Sequence, residues 1–106
     1  MPLSPAETKR FRRIGHELKP VVMTGGQGLT DAVVAEVDRA LEDHELIKVR
    51  INGEDREVRA AEMADLARRT RAEKVQVIGK IVLLYRAARK PNPKLSNLLR
   101  NAHLSD

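Results

Sequence analysis

A glycine-rich turn between an apolar run and a helix start is the feature that most constrains how this chain folds. Residues 21–23 are apolar and predict a short buried strand, and residues 25–28 (Gly-Gly-Gln-Gly) follow almost at once. Thr30 is a suitable N-cap for the apolar helical repeat that comes next. Glycine lets a backbone approach a ligand closely, and a helix start offers unpaired N–H groups and the positive end of its dipole. The segment therefore predicts a backbone cradle for phosphate.

The charge distribution favours a polyanion as the source of that phosphate. The chain has 106 residues and a net charge of +5 at pH 7. Residues 1–19 and 66–106 are net basic, whereas residues 20–65 are net acidic. A basic face beside a glycine loop is typical of nucleic-acid binding, and in a chain without cysteine we expect RNA.

Composition also excludes several kinds of site. The absence of cysteine excludes disulfides and thiolate metal sites, and it fits a reducing compartment. The three histidines, His16, His44 and His103, lack the spacing of metal ligands. We find no secretory signal and no apolar run long enough to cross a bilayer. We therefore expect a cytoplasmic protein that is not an enzyme and carries no cofactor or metal.

Hydrophobic periodicity predicts the element order α-β-α-β-α-β-β. A capping-box pattern opens the first helix at Ser4. Residues 47, 49 and 51 are apolar and alternate with Lys48 and Arg50, which predicts a strand with one buried face. Residues 79–80 (Gly-Lys) suit a two-residue hairpin turn between the last two strands.

This order predicts an α/β fold, a two-layer sandwich with a four-stranded mixed sheet. Right-handed crossovers place helices two and three on one face and leave the opposite face partly open, displaying Lys48 and Arg50. Residues 81–85 are all apolar, which indicates an interior strand. We assign residues 1–86 to a single domain and residues 87–106 to a basic, partly flexible tail with a short helix near residues 95–101.

Four stretches of the chain resemble the CRM domain (chloroplast RNA splicing and ribosome maturation), in its free-standing bacterial YhbY form. The resemblance covers about residues 3–86 and keeps the family's order and spacing. The matching stretches are residues 16–22 (His-Glu-Leu-Lys-Pro-Val-Val), residues 25–30 (Gly-Gly-Gln-Gly-Leu-Thr), residues 40–49 (Ala-Leu-Glu-Asp-His-Glu-Leu-Ile-Lys-Val) and residues 75–80 (Val-Gln-Val-Ile-Gly-Lys).

The resemblance implies both a fold and a function. The fold should be similar to that of the C-terminal domain of bacterial translation initiation factor three. The Gly-x-x-Gly loop should pack its backbone against nucleotides, as in KH domains. Bacterial members are associated with precursors of the large ribosomal subunit, and plant relatives with group II intron splicing, so the resemblance implies a ribosomal RNA precursor, within a pre-ribosomal particle, as the partner.

The expected RNA-binding residues are the loop and the cations of the same domain. Many relatives carry a basic residue within this loop, but this chain has none, so charge must come from elsewhere. By carry-over from the family, Gly25 and Gly28 frame the loop. The expected contacts are Lys19, Gly25, Gly26, Gln27, Gly28, Lys48, Arg50, Lys80 and Arg86, with a secondary set of Lys9, Arg10, Arg12 and Arg13 on the first helix. Because Phe11 and Tyr85 are the only Phe, Tyr or Trp residues, we expect no extensive base stacking, and recognition that favours backbone and shape over sequence.

Other functions stay open at this point. The acidic face of helix two could make the protein an adaptor that reaches ribosomal particles through a protein partner, which nuclease treatment would distinguish. The bound RNA could be an intron or a messenger. Gly25-Gly26-Gln27 is also the tripeptide with which class I peptide release factors hydrolyse peptidyl-tRNA, but the surrounding release-factor pattern is absent here.

Overall fold

The computed structural model describes residues 2–104, and residue 1 and residues 105–106 lie outside the described part. The predicted α/β fold with a four-stranded mixed sheet is confirmed. The helices are α1 (Pro5–His16), α2 (Asp31–His44), α3 (Arg56–Thr70) and α4 (Asn97–Arg100), and the strands are β1 (Pro20–Met23), β2 (Leu46–Arg50), β3 (Glu73–Ile78) and β4 (Ile81–Tyr85). Within the described residues, no helix is both long and apolar enough to cross a membrane.

The strands lie side by side in the order β1-β2-β4-β3. β1 and β2 are parallel, and β4 runs antiparallel to both β2 and β3. β4 is therefore an interior strand, as its uninterrupted apolar sequence predicted. Because β1, β2 and β3 point the same way, their C-terminal ends meet at one side of the sheet, which we call the carboxyl edge.

Helix starts in the chain are fixed by the predicted caps. The Ser4 hydroxyl accepts a hydrogen bond from the Glu7 N–H (3.1 Å), and the Glu7 carboxylate accepts one from the Ser4 N–H (3.0 Å). These bonds complete a capping box and hold the pKa of Glu7 below its usual value. At α2 the Thr30 hydroxyl accepts from the Val33 N–H (3.2 Å), so this helix begins directly behind the glycine loop.

The first face of the sheet carries the larger core. Ile47, Val49 and Ile51 alternate along β2, are fully buried, and pack beneath α2 and α3 together with Leu41 and Leu66. Fully burying a side chain of this size stabilises the fold by about 1.5–3 kcal/mol. The predicted alternation is thus correct, and Lys48 and Arg50 lie on the other face.

The second face is covered over only part of its area. α1 packs there through Phe11 and Ile14, which join Leu46 and Leu83 in a second buried cluster. A Cβ on Gly15 would lie 2.6 Å from a methyl carbon of Leu83, so glycine permits the close contact of helix and sheet. The prediction left α1 unplaced, and its position explains why Lys48 is half-buried whereas Arg50 is exposed.

The described part of the tail, residues 87–104, is hydrogen-bonded to the domain. The buried Glu45 carboxylate accepts hydrogen bonds from the Ser96 hydroxyl (2.7 Å) and the Ala88 N–H (2.8 Å). The Asn97 side-chain amide donates to the Leu46 carbonyl (2.7 Å). α4 falls within the predicted short helix, while the domain boundary at residue 86 stays a prediction.

Candidate nucleic-acid interface

The glycine loop forms a tight turn whose tip points away from the fold. The Gly28 N–H donates to the Gly25 carbonyl (3.1 Å), and the two residues form a short antiparallel bridge. Gly28 has a φ of +71°, a conformation that side-chain-bearing residues rarely adopt. Gly25, Gly26 and Gln27 are exposed. The loop therefore presents two glycine backbones and one amide side chain at the surface.

The loop leads straight into the N-terminus of α2. The Thr30 N–H donates to the Gly28 carbonyl (3.1 Å), so the last glycine of the loop is hydrogen-bonded to the N-cap residue of the helix. Asp31 in the first turn forms an ion pair with Arg69 of α3 at 2.8 Å. The positive end of the helix dipole thus lies behind the loop, partly offset by this carboxylate.

A hydrogen-bond network below the loop fixes it to the end of β2. Thr24 is buried, and its N–H donates to the Arg50 carbonyl (3.0 Å). Asn52 donates its N–H to the Thr24 hydroxyl (2.8 Å) and its side-chain amide to the Thr24 carbonyl (3.0 Å). Thr24 and Asn52 were not predicted as supports, because only the pairing of β1 with β2 brings them together. The available signal was the dipeptide Asn52-Gly53, which is typical of a turn directly after a strand.

Two of the expected cations lie at the carboxyl edge with the loop. The Arg50 guanidinium donates to the Asn52 side-chain oxygen (2.7 Å). Lys80 lies beside the end of β2, because its carbonyl accepts from the Ile51 N–H (2.7 Å). The Lys80 ammonium is 3.4 Å from the carboxylate of Glu54, which is almost fully exposed. Such exposed pairs are worth about 0–1 kcal/mol, so a phosphate can replace Glu54.

Lys19 and Arg86 lie at the opposite end of the sheet from the loop. Lys19 precedes β1, whereas the loop follows it, and Arg86 follows β4, whose C-terminal end pairs with the start of β2. The Arg86 guanidinium donates to Asp38 Oδ1 (2.6 Å) and to the Thr70 carbonyl (2.9 Å). Its intramolecular partners also include the Glu42 carboxylate at 3.6 Å. The structure therefore does not bring these two cations together with the loop.

The secondary set of cations lies on α1, over the second face. Lys9, Arg12 and Arg13 are exposed on this helix. Arg10 is partly buried, and its guanidinium donates to the Leu104 carbonyl (3.1 Å) and lies 5.9 Å from the Phe11 ring centroid. The set is thus divided into an exposed stripe and one arginine that contacts the tail.

Tyr85, a titratable residue away from the loop, packs against a buried aromatic ring. The Tyr85 ring packs 4.7 Å from Phe11, centroid to centroid. Burial raises the pKa of Tyr85, and the nearby carboxylates of Glu45 and Glu7 add to the effect. Among residues 2–104, no group of three or more His, Cys, Asp or Glu residues could hold a metal ion.

The chain is similar to several known proteins. It is 47% identical over 102 residues to a Pseudomonas aeruginosa protein named as a probable RNA-binding protein, covering 96% of this chain and 98% of that one. It is 43% identical over 93 residues to a Haemophilus influenzae protein named as an RNA-binding protein, covering 88% and 94% of the two chains.

A solved structure and a family match agree with these relatives. The solution structure of a Staphylococcus aureus protein, described as a candidate RNA-binding protein, superposes with a TM-score of 0.75 at 28% identity. The superposition covers 90% of this chain and 98% of that one. Residues 3–86, which hold the loop and the whole sheet, match the CRS1 / YhbY (CRM) domain. The protein therefore belongs to the CRS1 / YhbY (CRM) domain family.

Proposed function

We propose that this protein is a non-catalytic RNA-binding protein that associates with ribosomal RNA precursors during assembly of the large ribosomal subunit. Family membership and the names of the relatives support RNA as the ligand. The ribosomal precursor, the pre-ribosomal particle and a cytoplasmic location are proposed from the family resemblance described above.

The observation that carries the proposal is the open space around the loop tip. A Cβ placed on Gly25 or Gly26 would meet no other atom of the protein within 4 Å. The fold therefore does not need glycine at these two positions for its own packing. Close approach of an external group accounts for both glycines, and the exposed Gln27 amide beside them can bond phosphate or sugar oxygens.

Electrostatic attraction at the carboxyl edge supports a phosphate backbone as that external group. The loop has no charged side chain, but Arg50 and Lys80 lie at the same edge of the sheet. Lys48 and the exposed stripe of α1 extend this positive surface along the second face. Lys19 and Arg86 would contact only an RNA that continues to the far end of the sheet.

The acidic side chains of α2 support an adaptor function less well than the carboxyl edge supports RNA binding. Asp31 of α2 is paired with Arg69, and Asp38 and Glu42 are paired with Arg86. A basic protein partner would have to compete with Arg86 for Asp38 and Glu42, because this arginine is only 20% exposed. Glu36 and Asp43 are exposed on the same helix, so part of α2 stays accessible to a partner. We propose RNA contact at the carboxyl edge as the main function and keep protein contact at α2 as the alternative.

Crosslinking in cells, followed by sequencing of the bound RNA, tests the proposal. The loop variant combines Gly26→Asp with Gln27→Asp, which adds two carboxylates where phosphates are expected without filling occupied space. The matched control combines Ala35→Asp with Ala102→Asp, because both alanines are exposed and lie outside the loop. We expect wild type and control to crosslink to large-subunit precursor RNA and the loop variant to lose these crosslinks.

Two outcomes would contradict the proposal. If wild type gives no crosslinks but co-purifies with ribosomal particles after nuclease treatment, the protein is an adaptor. If the crosslinks fall on introns or messenger RNA, RNA binding stands and the ribosomal assignment is wrong.

A further inference from the structure

One row of side chains crosses the uncovered part of the second face. Met23 pairs with Arg50, Arg50 with Ile81, and Ile81 with Ile78, so the four residues lie side by side across all four strands. Adjacent strands are 4.7–4.9 Å apart, so this open row is roughly 14 Å wide. It is the last row before the carboxyl edge, and Met23 is two residues ahead of Gly25.

The open row is apolar at both ends and largely unprotected from solvent. Met23 is 61% exposed and Ile78 is 60% exposed, while Ile81 is half-buried between Ile78 and Arg50. α1 covers the same face only farther along, where Leu83 and Leu46 are buried. Large apolar side chains in register on a sheet face, next to a binding loop, indicate an occupant that covers them.

The charges around the open row favour a polyanion as that occupant. The next row of the same face contains Lys48, Leu83 and Gln76, so the two rows together hold two cations and no acid. A second copy of the chain seated here would bring its own Arg50 and Lys48 against these cations, which is unfavourable. An RNA strand has phosphates for the cations and flat, weakly polar base faces for the apolar side chains.

We propose that the open row binds unpaired nucleobases of the RNA whose backbone is held by the glycine loop. The inference rests on the proposed function, and it adds that the recognised element is single-stranded. Bases lie against Met23 and Ile78, and the Arg50 guanidinium stacks between them or bonds a base edge. Aliphatic and thioether side chains thus form the surface for bases that aromatic residues form in other sheet-based RNA binders.

The nucleobase site adds to an expectation drawn from composition. The scarcity of aromatic residues predicts no extensive base stacking, and that expectation stays a prediction. Composition does not show the open row, because Met23 and Ile78 are 55 positions apart in the sequence and become parts of one surface only when β4 lies between β2 and β3.

The experiment compares Ile78→Ser and Met23→Ser with a control on the same sheet. Val77 is 46% exposed on β3, and its partner Val82 points to the first face, so Val77→Ser removes a similar surface from the opposite side. Binding is measured with three RNAs: a short oligoadenylate, the same oligomer with abasic sites, and an adenylate–uridylate duplex. Circular dichroism and sedimentation confirm folding and oligomeric state.

We expect each open-row variant to bind oligoadenylate about fivefold or more weakly, at the lower end of what is found for loss of a stacking side chain. The salt dependence should be unchanged, because no charge is removed. On the abasic oligomer and the duplex the variants should equal wild type, so that the loss appears only when both the side chain and the base are present. Val77→Ser should bind all three RNAs as wild type does.

The outcomes separate this inference from the proposed function. If Gly26→Asp with Gln27→Asp abolishes binding but the open-row variants bind oligoadenylate normally, the loop proposal stands and the nucleobase site is refuted. Equal losses on oligoadenylate and on the abasic oligomer refute it too. If wild type is a dimer that Ile78→Ser dissociates, the face is an interface between copies and the inference is wrong. If wild type binds none of the three RNAs but crosslinks to precursor RNA in cells, the nucleobase site is refuted and the proposed function stands; if it does neither, the proposed function itself fails.

Discussion

The Arg86 guanidinium donates to both the carboxylate and the carbonyl of Asp38, at 2.6 and 3.0 Å, and so joins the end of β4 to the middle of α2. The same guanidinium donates to the Thr70 carbonyl at the end of α3. One side chain, only 20% exposed, thus holds three elements of the first face together at the end of the sheet far from the glycine loop.

Replacing Arg86 should therefore reduce stability more than RNA affinity. Arg86→Ala breaks charge-assisted hydrogen bonds and leaves the Thr70 carbonyl without this donor, a change that costs about 1–3 kcal/mol. Urea unfolding measures the loss, and Arg89→Ala, at an exposed neighbouring position, is the control. A variant that unfolds like wild type but binds RNA tenfold more weakly would show that Arg86 is a contact residue and not a clamp.

Gly26 and Gly28 of the loop should respond differently to alanine. Gly28→Ala places a side chain at a φ of +71° with its Cβ 3.0 Å from the Glu62 carboxylate, and we expect a loss of about 1–2 kcal/mol. Gly26→Ala meets no atom within 4 Å, so unfolding free energy should change by no more than about 0.5 kcal/mol while RNA affinity falls. Equal effects of the two substitutions on stability would contradict this description of the loop.

The parts of the fold that could be predicted from the sequence are those determined by residues close together in the chain. Alternation at residues 47–51 gave a strand and its buried face, Ser4 and Thr30 gave helix starts, and the apolar run of β4 gave its interior position. Each follows from a preference that acts within a few residues.

The site was predictable only in part, because its geometry depends on strand order. The glycine turn and its position between a strand and a helix were predicted. The chain direction of β1 alone could have shown that Lys19 lies at the other end of this strand from the loop. The partners of Arg86 and of Glu45 are separated from them by 48 and 51 positions in the chain. No local pattern marks such pairs, because they form only when β4 enters the sheet and the tail folds back.

The tail should open more often when the Ser96 hydrogen bond to Glu45 is removed. Ser96→Ala takes a donor from this buried carboxylate and removes the N-cap of α4, since the Ser96 hydroxyl also accepts from the Leu99 N–H, and loss of a cap alone costs about 1 kcal/mol. We expect faster amide exchange over residues 87–104 and earlier trypsin cleavage after Lys94. Thr30→Ala removes a cap at the other end of the fold, and it should leave tail exchange unchanged. Unchanged exchange in Ser96→Ala would mean that other contacts hold the tail.

Stability should fall in alkali as Tyr85 ionises. Burial and two carboxylates raise the pKa of this phenol in the folded state, so the folded protein holds the proton more tightly than the unfolded chain does. The contribution of Tyr85 is fully present below the unfolded pKa of about 10 and is lost as pH rises through the folded pKa. Tyr85→Phe should flatten the decline of unfolding free energy above this pH. Because the chain has one tyrosine, phenolate absorbance reports its titration directly, and a midpoint at or below that of a free tyrosine peptide would contradict the prediction.

Salt dependence separates cations that contact phosphate from cations that only add net charge. Lys80 lies at the carboxyl edge, beside the end of β2, and its ion-pair partner Glu54 is almost fully exposed, so its ammonium can transfer to a phosphate when RNA binds. Lys80→Ala should weaken binding to single-stranded RNA and reduce the slope of log affinity against log salt by about 0.7, the release expected for one neutralised phosphate. Lys74→Ala removes the same charge from an exposed position nearer the opposite end of β3, and its slope should equal that of wild type. Fluorescence anisotropy across a series of potassium chloride concentrations gives both slopes. An equal reduction for the two lysines would mean that the protein attracts RNA through its overall charge, and that the carboxyl edge is not the site where the backbone is held.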